Sequence, residues 1–266
     1  MKKGALVYDR EGAERNGWFI RELIAAARRA GAVLETVIAE SADGLPHCDF
    51  DFAIVRTRDP QINEYFRSRG VRAFNNTETN ATANDKLKTY ELCRALDIEV
   101  LPTERADVFL SSPDFGFPAV VKTRNGHGGR GVFRAEDVGD VRRTATKPND
   151  YIVQPMCSEC GVDVRLYVLG GRIVAAAERS SDSDFRSNRS LGGRARIVSP
   201  CREMEEAVGR IYSALRCDWI GVDFLPDRNG WVLNEIEDPV GARMLYELTD
   251  VDVARLLTEY CLSEIG

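Results

Sequence analysis

Two apolar segments in the last quarter of the chain carry three acidic side chains. Asp223 lies inside the apolar run 219–225, and Glu235 and Glu237 lie in the next apolar run. The spacing of two residues places both glutamates on one face of a strand. A turn at 226–230 would pair the two strands, so the pattern predicts a strand pair with three carboxylates close together.

Carboxylates that cluster in apolar strands repel one another unless a cation neutralises them. Oxygen ligands of this kind select Mg²⁺ or Mn²⁺, and nucleotide phosphates can complete the coordination shell. We therefore interpret Asp223, Glu235 and Glu237 as metal ligands. A solvent-facing strand is the alternative for the two glutamates, but it explains Asp223 poorly. On the metal interpretation, Asp223→Asn should abolish turnover and leave the melting temperature unchanged or higher.

A lysine and a glycine-rich segment indicate phosphate binding. Lys122 ends the apolar run 117–122 in a chain that has six lysines and thirty arginines. Four glycines, Gly128 and Gly129 among them, fall within 126–131, where backbone N–H groups can approach phosphate oxygens. The lysine would add a point charge. A plain glycine-rich hairpin is the alternative.

Five arginines fall within the polar segment 179–196 of an otherwise acidic protein, with Ser187 and Asn188 interleaved. Guanidinium groups beside small hydrogen-bonding side chains suit recognition of phosphate or carboxylate. A solvated loop is the competing interpretation. The arginines are Arg179, Arg186, Arg189, Arg194 and Arg196.

The first eighty residues alternate strand-like and helix-like runs, which predicts a parallel sheet with covered faces. After these residues, Asn84-Asp85-Lys86 can cap a helix to about residue 96. Further on, Gly170-Gly171 is a two-residue turn signal that predicts a hairpin. The predicted strands are 4–8, 33–39, 52–55, 71–74, 100–103, 117–122, 131–133, 151–154, 164–169, 172–177, 219–225 and 230–236. The predicted helices are 18–30, 61–69, 84–96, 137–144 and 203–215.

Composition limits the partners. The net charge of −6 argues against a general nucleic-acid binder. No apolar run approaches the roughly 18 residues that a membrane span needs, and the N-terminus lacks the apolar core of a signal peptide. We therefore expect a cytoplasmic protein with no membrane or nucleic-acid partner. The seven scattered cysteines fit reduced thiols. Cys157 and Cys160 form a CxxC for which incidental thiols are the favoured interpretation over a redox or metal role.

Taken in chain order, these motifs resemble the ATP-grasp ligases, and most closely the RimK-like branch, which joins a carboxylate to an amine. The resemblance extends over about 50–250. The motifs are Asn84-Asp85-Lys86, Lys122, the glycine-rich loop, Asp163-Val-Arg165, Asp184-Phe-Arg-Ser-Asn188, Gly192-Gly193, Gly221-Val-Asp223 and Glu235-Ile-Glu237. The resemblance implies an α/β ATP-grasp fold with an N-terminal parallel-sheet (pre-ATP-grasp) lobe at 1–82, a small α+β lid lobe at 83–156 and a C-terminal α+β metal and nucleotide lobe at 157–266.

Roles for individual residues follow from the same resemblance. Lys86 and Lys122 would contact phosphates, 154–156 would be the hinge that binds adenine, and Asp163 would hold the ribose. The expected nucleotide-binding residues are Lys86, Lys122, Gly128, Gly129, Gln154, Pro155, Met156, Asp163 and Ser187. The expected catalytic residues, which would face the γ-phosphate and the acyl phosphate, are Arg165, Arg186 and Asn188.

The chain departs from the family pattern at three places. Glu237 stands where asparagine is usual, and Pro155 stands where the hinge often has an acidic residue. The segment 237–243 also differs from the usual asparagine-rich turn. Because bidentate recognition of carboxylates favours arginine, we expect a substrate acid to be held by Arg56, Arg58 and Arg243, with surface roles as the alternative.

The sequence thus predicts an ATP-dependent ligase that forms an amide bond through an acyl phosphate and releases ADP and phosphate. An ATP-grasp phosphotransferase and a non-catalytic nucleotide-binding module are the alternatives. The expected cofactors are ATP and Mg²⁺ or Mn²⁺. The expected partners are a small-molecule or peptide carboxylate and an amine or amino acid. A homodimer is the commonest assembly compatible with such a chain.

Overall fold

Three β-sheets organise the computed structural model, which describes residues 1–47, 49–181, 185, 193–228 and 230–266. They follow one another along the chain and have four, four and five strands. We call them the N-terminal, middle and C-terminal sheets. The first of these sheets is parallel, and the other two are antiparallel.

The N-terminal sheet is parallel. Its elements are β1 (Lys3–Tyr8), α1 (Arg10–Arg29), β2 (Val33–Ile38), β3 (Phe52–Val55), α2 (Pro60–Arg67) and β4 (Arg72–Phe74). The strand order is β2-β1-β3-β4. Because helices connect parallel strands and cover the sheet, the central strands β1 and β3 are almost wholly buried. The parallel sheet predicted for the first eighty residues is confirmed.

Helix α1 begins eight residues earlier than predicted. The Asp9 side chain caps it by accepting the Gly12 N–H at 2.5 Å. The backbone departs from helical geometry at Asn16, where φ is −112°. Gly12 and Gly17 lie near the start of α1 and lower the helix propensity there. The apolar pattern alone therefore predicted only the part of the helix from residue 18 onward.

The middle sheet is antiparallel, with strand order β5-β8-β6-β7. Its strands are β5 (Glu104–Arg105), β6 (Ala119–Thr123), β7 (Val132–Ala135) and β8 (Tyr151–Pro155). The helices α3 (Thr77–Ala83) and α4 (Lys86–Ala95) precede it along the chain, and α5 (Ala106–Ser111) and α6 (Val138–Thr144) pack against it. As predicted, Asp85 caps α4, because its side chain accepts the Leu87 N–H at 3.0 Å.

The strand predicted at 100–103 is wrong. Val100 forms a single bridge to Leu233, and the paired strand starts only at residue 104. Pro102 explains the difference, since proline has no N–H to donate to a neighbouring strand. Helix α5, which follows at once, was not predicted.

The C-terminal sheet is antiparallel, with strand order β11-β10-β9-β12-β13. Its strands are β9 (Val162–Leu169), β10 (Arg172–Ser180), β11 (Arg194–Val198), β12 (Trp219–Asp227) and β13 (Gly230–Glu237), and α7 (Arg202–Leu215) covers one face. Gly170 and Gly171 form the β9–β10 turn with φ of 55° and 80°, which glycine adopts without strain. The predicted hairpin is confirmed.

The chain ends beside its beginning. Helices α8 (Arg243–Leu248) and α9 (Val253–Glu264) follow the last sheet, and α9 packs against α1 in the core that also contains Leu6 and Phe19. The lobe boundaries at 82/83 and 156/157 stay a prediction. Within the described ranges no helix is long and apolar enough to span a bilayer.

One asparagine joins the N-terminal and C-terminal sheets. Asn75 is buried, and its side chain accepts the N–H groups of Asp218 and Trp219 and donates to Asp238 at 2.9 Å. Beside it, one oxygen of the buried Asp218 accepts hydrogen bonds from Arg72 at 2.7 Å and Tyr260 at 2.9 Å. Its other oxygen has no hydrogen-bond partner among the described residues. Loss of hydration on burial outweighs Arg72 and raises the pKa of Asp218 to about 7.

This carboxylate should make folding stability depend on pH. Because the pKa rises from 3.8 in the unfolded chain to about 7 in the folded protein, the folded state binds more protons between these values. The free energy of unfolding therefore falls as pH rises through this window. We expect Asp218→Asn to remove on the order of 2 kcal/mol of that dependence, measured by urea denaturation at several pH values. The exposed carboxylate variant Asp43→Asn is the control, and an unchanged pH profile in Asp218→Asn would contradict the assignment.

Candidate active site

A cleft of about 790 Å³ opens between the middle and C-terminal sheets. Its walls combine apolar side chains with cations and carboxylates, and ligand-binding pockets commonly combine an apolar lining with a few polar groups. The residues predicted for nucleotide or metal that line it are Lys86, Lys122, Gly129, Gln154, Pro155, Met156, Asp163, Asp223 and Glu235. Gly128 lies next to them in the glycine-rich loop, where its φ of 62° requires glycine.

Two buried lysines reach the cleft from different elements. Lys122, on β6, donates to the side-chain oxygen of Asn234 at 2.8 Å. Lys86, at the start of α4, donates to Glu235 at 3.0 Å and to the Gly126 carbonyl in the glycine-rich loop. Burial, helped by the charge of Lys86, lowers the pKa of Lys122 to about 8. Both ammonium groups are therefore held in the cleft by hydrogen bonds to protein oxygens.

A β-bulge brings Asn234 into the site. Asp223 pairs with Glu235 and Phe224 pairs with Leu233, which leaves Asn234 as an extra residue in β13. Leu233 and Ile236 both belong to the core under α7, so the intervening Asn234 and Glu235 face the cleft together. Sequence reasoning missed Asn234. The signal was the spacing of three, instead of two, between the apolar Leu233 and Ile236.

The carboxylates are paired with two arginines. Arg165 donates to both oxygens of Asp223 at 2.7 Å and forms an ion pair with Glu237. Arg179 donates to both oxygens of Asp163, at 2.6 and 2.5 Å, and to Asp223 at 2.7 Å. We call these five residues the arginine–carboxylate network. Arg179 thus lies buried on β10, and the expectation that it belongs to a ligand-binding loop is wrong.

The network sets the charge of its members. Burial alone would raise the pKa of Asp223, but Arg165 and Arg179 outweigh it and hold that pKa at about 2. The pKa of Glu237 is raised, mainly because burial disfavours its charged form. The charges of Asp223 and Glu235 raise this pKa further, and together they outweigh the opposing effect of Arg165. Arg165 and Arg179 thus stabilise the charged form of Asp223, whereas burial disfavours the charged form of Glu237.

Magnesium suits this site by chemistry, because its acidic groups offer hard oxygen donors. In the described ranges, no three acidic, histidine or cysteine side chains already converge as a metal site, since Arg165 lies between Asp223 and Glu237. The metal assignment of Asp223, Glu235 and Glu237 therefore stays a prediction.

The side chain of Gln154, in the predicted hinge, already forms hydrogen bonds within the protein. Gln154 is buried, donates to the Thr103 hydroxyl at 2.7 Å and accepts the Tyr90 hydroxyl at 3.4 Å. The Met156 N–H donates to the Pro118 carbonyl at 3.3 Å. An adenine at this hinge would therefore be recognised through backbone carbonyls.

The three arginines expected to hold a substrate differ in surroundings. Arg56 is buried and donates to the Val240 carbonyl at 2.6 Å, so it fixes the turn after β13. Arg58 is half-buried near Glu237, and burial lowers its pKa. Arg243 is exposed and reaches the Arg15 carbonyl at 3.3 Å.

Sequence reasoning also missed the cationic surroundings of His127. Burial lowers the pKa of His127, and the nearby charges of Arg58, Arg15 and Arg130 add to that effect. Arg186, Ser187 and Asn188 lie outside the described residues. Phe185, just before them, lines the cleft and accepts the Gly161 N–H at 2.9 Å.

Residues 83–261 match the family model described as the RimK-like ATP-grasp domain. The chain belongs to this family. It is 30% identical over 210 residues to a probable alpha-L-glutamate ligase of Maridesulfovibrio salexigens, a match that covers 73% of this chain and 68% of the relative. The prediction of an ATP-dependent carbon–nitrogen ligase is therefore confirmed at the level of enzyme class.

Solved structures share the fold. A RimK domain ATP-grasp protein from Sphaerobacter thermophilus aligns with a TM-score of 0.74 at 21% identity, covering 98% of this chain and 99% of that one. The D-alanine–D-alanine ligase from Bacillus anthracis aligns with a TM-score of 0.78 at 15% identity, covering 100% and 99%. The predicted ATP-grasp fold is confirmed.

The arginine–carboxylate network predicts different effects on folding stability for two substitutions that each remove a carboxylate charge. Asp223→Asn should lower the free energy of unfolding at neutral pH by about 3 kcal/mol, because it leaves two buried guanidinium groups undercompensated. This reverses the expectation of an unchanged or higher melting temperature. Glu237→Gln should leave stability unchanged or higher, because burial disfavours the charged form of the Glu237 carboxylate and raises its pKa. Urea denaturation of both variants without metal or nucleotide is the measurement, and equal losses would refute the uneven charge balance.

Proposed function

We propose that this protein activates a carboxylate with ATP and joins it to an amine through an acyl phosphate. The observation that carries the proposal is the pair of buried lysines held opposite the acidic strand pair in one cleft. Family membership supports the reaction class. ATP, a divalent cation, an acid and an amine would be the reactants and cofactors.

Activation is needed because a carboxylate has a poor leaving group for attack by an amine. In the first step a carboxylate oxygen of the acid forms a bond to the γ-phosphorus of ATP, and the bond to the β-phosphate oxygen breaks to release ADP. In the second step the amine nitrogen forms a bond to the acyl carbon, phosphate leaves and the nitrogen loses a proton. Such phosphoryl transfer depends mainly on positioning and charge neutralisation.

The residues of the cleft suit these requirements. Lys86 and Lys122 would hold phosphate oxygens, and Arg165 would face the transferred phosphoryl group. When bound at Asp223, Glu235 and Glu237, magnesium would neutralise phosphate charge. Glu237 keeps an oxygen donor where the family usually has asparagine. Arg186 and Asn188 are proposed to complete the catalytic set from outside the described residues.

The remaining predicted contacts concern the nucleotide and the acid. Adenine would lie against 154–156, and the glycine-rich loop would cover the phosphates. Asp163 is bound by Arg179, so any ribose contact would use the remaining lone pairs of its oxygens. Arg58 and Arg243 are proposed to bind the acid directly, while Arg56 holds the turn beside them.

Lys122 should make nucleotide affinity depend on pH. Its pKa of about 8 means that the free protein loses the ammonium charge as pH rises past this value. We expect the Kd for ADP to rise about tenfold between pH 7 and pH 9, as an isolated titrating charge allows. Lys122→Arg should flatten the profile, because arginine stays charged. Calorimetric titration measures this, with the exposed Lys88→Arg as control. A profile that is steep in Lys122→Arg would assign the titration to another group.

The ligase mechanism can be tested by trapping the acyl phosphate. With hydroxylamine in place of the amine, the correct acid should give a hydroxamate and one ADP for each hydroxamate formed. In the complete reaction, without hydroxylamine, L-glutamate is the first amino acid to supply as the amine, because a relative carries the name of a probable alpha-L-glutamate ligase. Arg186→Ala should abolish the hydroxamate and still bind ATP.

Other outcomes point elsewhere. A stable phosphorylated substrate with no need for an amine would make the protein a phosphotransferase. Nucleotide binding without ADP release, over a panel of acids and amines, would indicate a non-catalytic module.

A further inference from the structure

The connection between the middle and C-terminal sheets contains two neighbouring thiols. It runs from the end of β8 to the start of β9, directly after the hinge segment 154–156. The sulfur atoms of Cys157 and Cys160 lie 3.9 Å apart. Both side chains line the same cleft as Lys122. Cys160 is exposed and Cys157 is half-buried.

Two backbone hydrogen bonds attach this connection to the sheets on either side. The Met156 N–H donates to the Pro118 carbonyl at 3.3 Å in the middle sheet. The Ser158 N–H donates to the Asp227 side chain at 3.2 Å in the C-terminal sheet. A change in the backbone of the CxxC segment is therefore transmitted to both walls of the cleft.

We propose that Cys157 and Cys160 form a reversible disulfide that weakens nucleotide binding in the adjoining cleft. The effect on nucleotide rests on the proposed function, whereas formation of the disulfide does not. The mechanism proposed above does not use these two thiols.

The oxidant is a hydroperoxide. The Cys160 sulfur, which is open to solvent, attacks the peroxide oxygen, the O–O bond breaks and a sulfenic acid forms with release of water or alcohol. The Cys157 sulfur then attacks the sulfenic sulfur, the S–O bond breaks and water leaves. Two thiols and one hydroperoxide thus give one disulfide, one water and one alcohol, or a second water when the oxidant is hydrogen peroxide.

The surroundings assign the two roles. Burial, with a further effect of Cys160, raises the pKa of the Cys157 thiol to about 12. A thiol of this kind is a poor first nucleophile. Cys157 is instead placed to resolve the sulfenic acid, because it needs only to cover the short distance to its neighbour. A dithiol reductant reverses the reaction by thiol–disulfide exchange.

We expect disulfide formation to displace the backbone beside the predicted hinge segment 154–156. The sulfur atoms have to approach from 3.9 Å to a bond length of about 2.0 Å. The loop is short and anchored on both sides, so part of this displacement falls on the backbone beside 156. A misplacement of about 1 Å in a binding site can cost up to about a hundredfold in activity. We expect oxidation to raise the Kd for ADP by roughly tenfold.

The experiment compares reduced and peroxide-treated full-length protein. Intact mass should fall by two hydrogen atoms, peptide mapping should place the disulfide at 157 and 160, and calorimetry should show weaker ADP binding. Dithiothreitol should restore both mass and affinity. In Cys160→Ser the affinity should be the same before and after peroxide. Cys201→Ser, which removes a half-buried cysteine on another surface, should respond like the wild-type chain.

Each failure has a separate meaning. Sulfinic acid at Cys160 without a disulfide would overturn the proposal, and so would a mapped disulfide with unchanged ADP affinity. If the reduced protein binds no ADP at all, the proposed function fails, and the effect assigned to the disulfide fails with it. The mass measurement would still decide whether the thiols pair.

Discussion

The arginine–carboxylate network is the interaction on which the cleft depends. Arg165 lies directly opposite Asp223, and Arg179 lies directly opposite Asp163, across neighbouring strands of the C-terminal sheet. Removing so many charges from water is costly unless each is paired with good geometry. The regular pleat supplies that geometry, because cross-strand neighbours meet at fixed spacing. The strands therefore hold an ionic layer on one face and the apolar core under α7 on the other.

The network also divides the acidic groups into two kinds. Asp163 and Asp223 are balanced by guanidinium groups, so they contribute rigidity as well as charge. Glu235 and Glu237 lie further along β13, where Glu235 forms an ion pair with Lys86 and Glu237 forms one with Arg165. In the proposed function, a divalent cation bound with nucleotide would add positive charge on this side. Phosphates would then exchange the contacts that Lys86 and Lys122 now make with protein oxygens.

Much of this architecture could be predicted from the sequence. The strand–helix alternation, the Gly170-Gly171 hairpin and the acidic strand pair each depend on local patterns that short-range physics determines. What escaped prediction depends on distant partners. The sequence marks Asp223 as an acid in an apolar strand, but only the sheet order shows that arginines from β9 and β10 neutralise it. Helix α9 has its partner α1 at the other end of the chain, and Asn75 joins two sheets across more than 140 residues. The positions of Arg186 and Asn188 remain predictions from sequence.

The extra residue in β13, Asn234, supplies the hydrogen-bond acceptor for Lys122, which lies on the middle sheet. A regular strand presents two side chains to one face over four consecutive residues, whereas 234–237 present three. Removing Asn234 would restore regular alternation and leave both glutamates on the ionic face of the sheet. It would also take away the oxygen to which the buried Lys122 donates. A one-residue gap at this position in a homologue should therefore be accompanied by replacement of the lysine on β6.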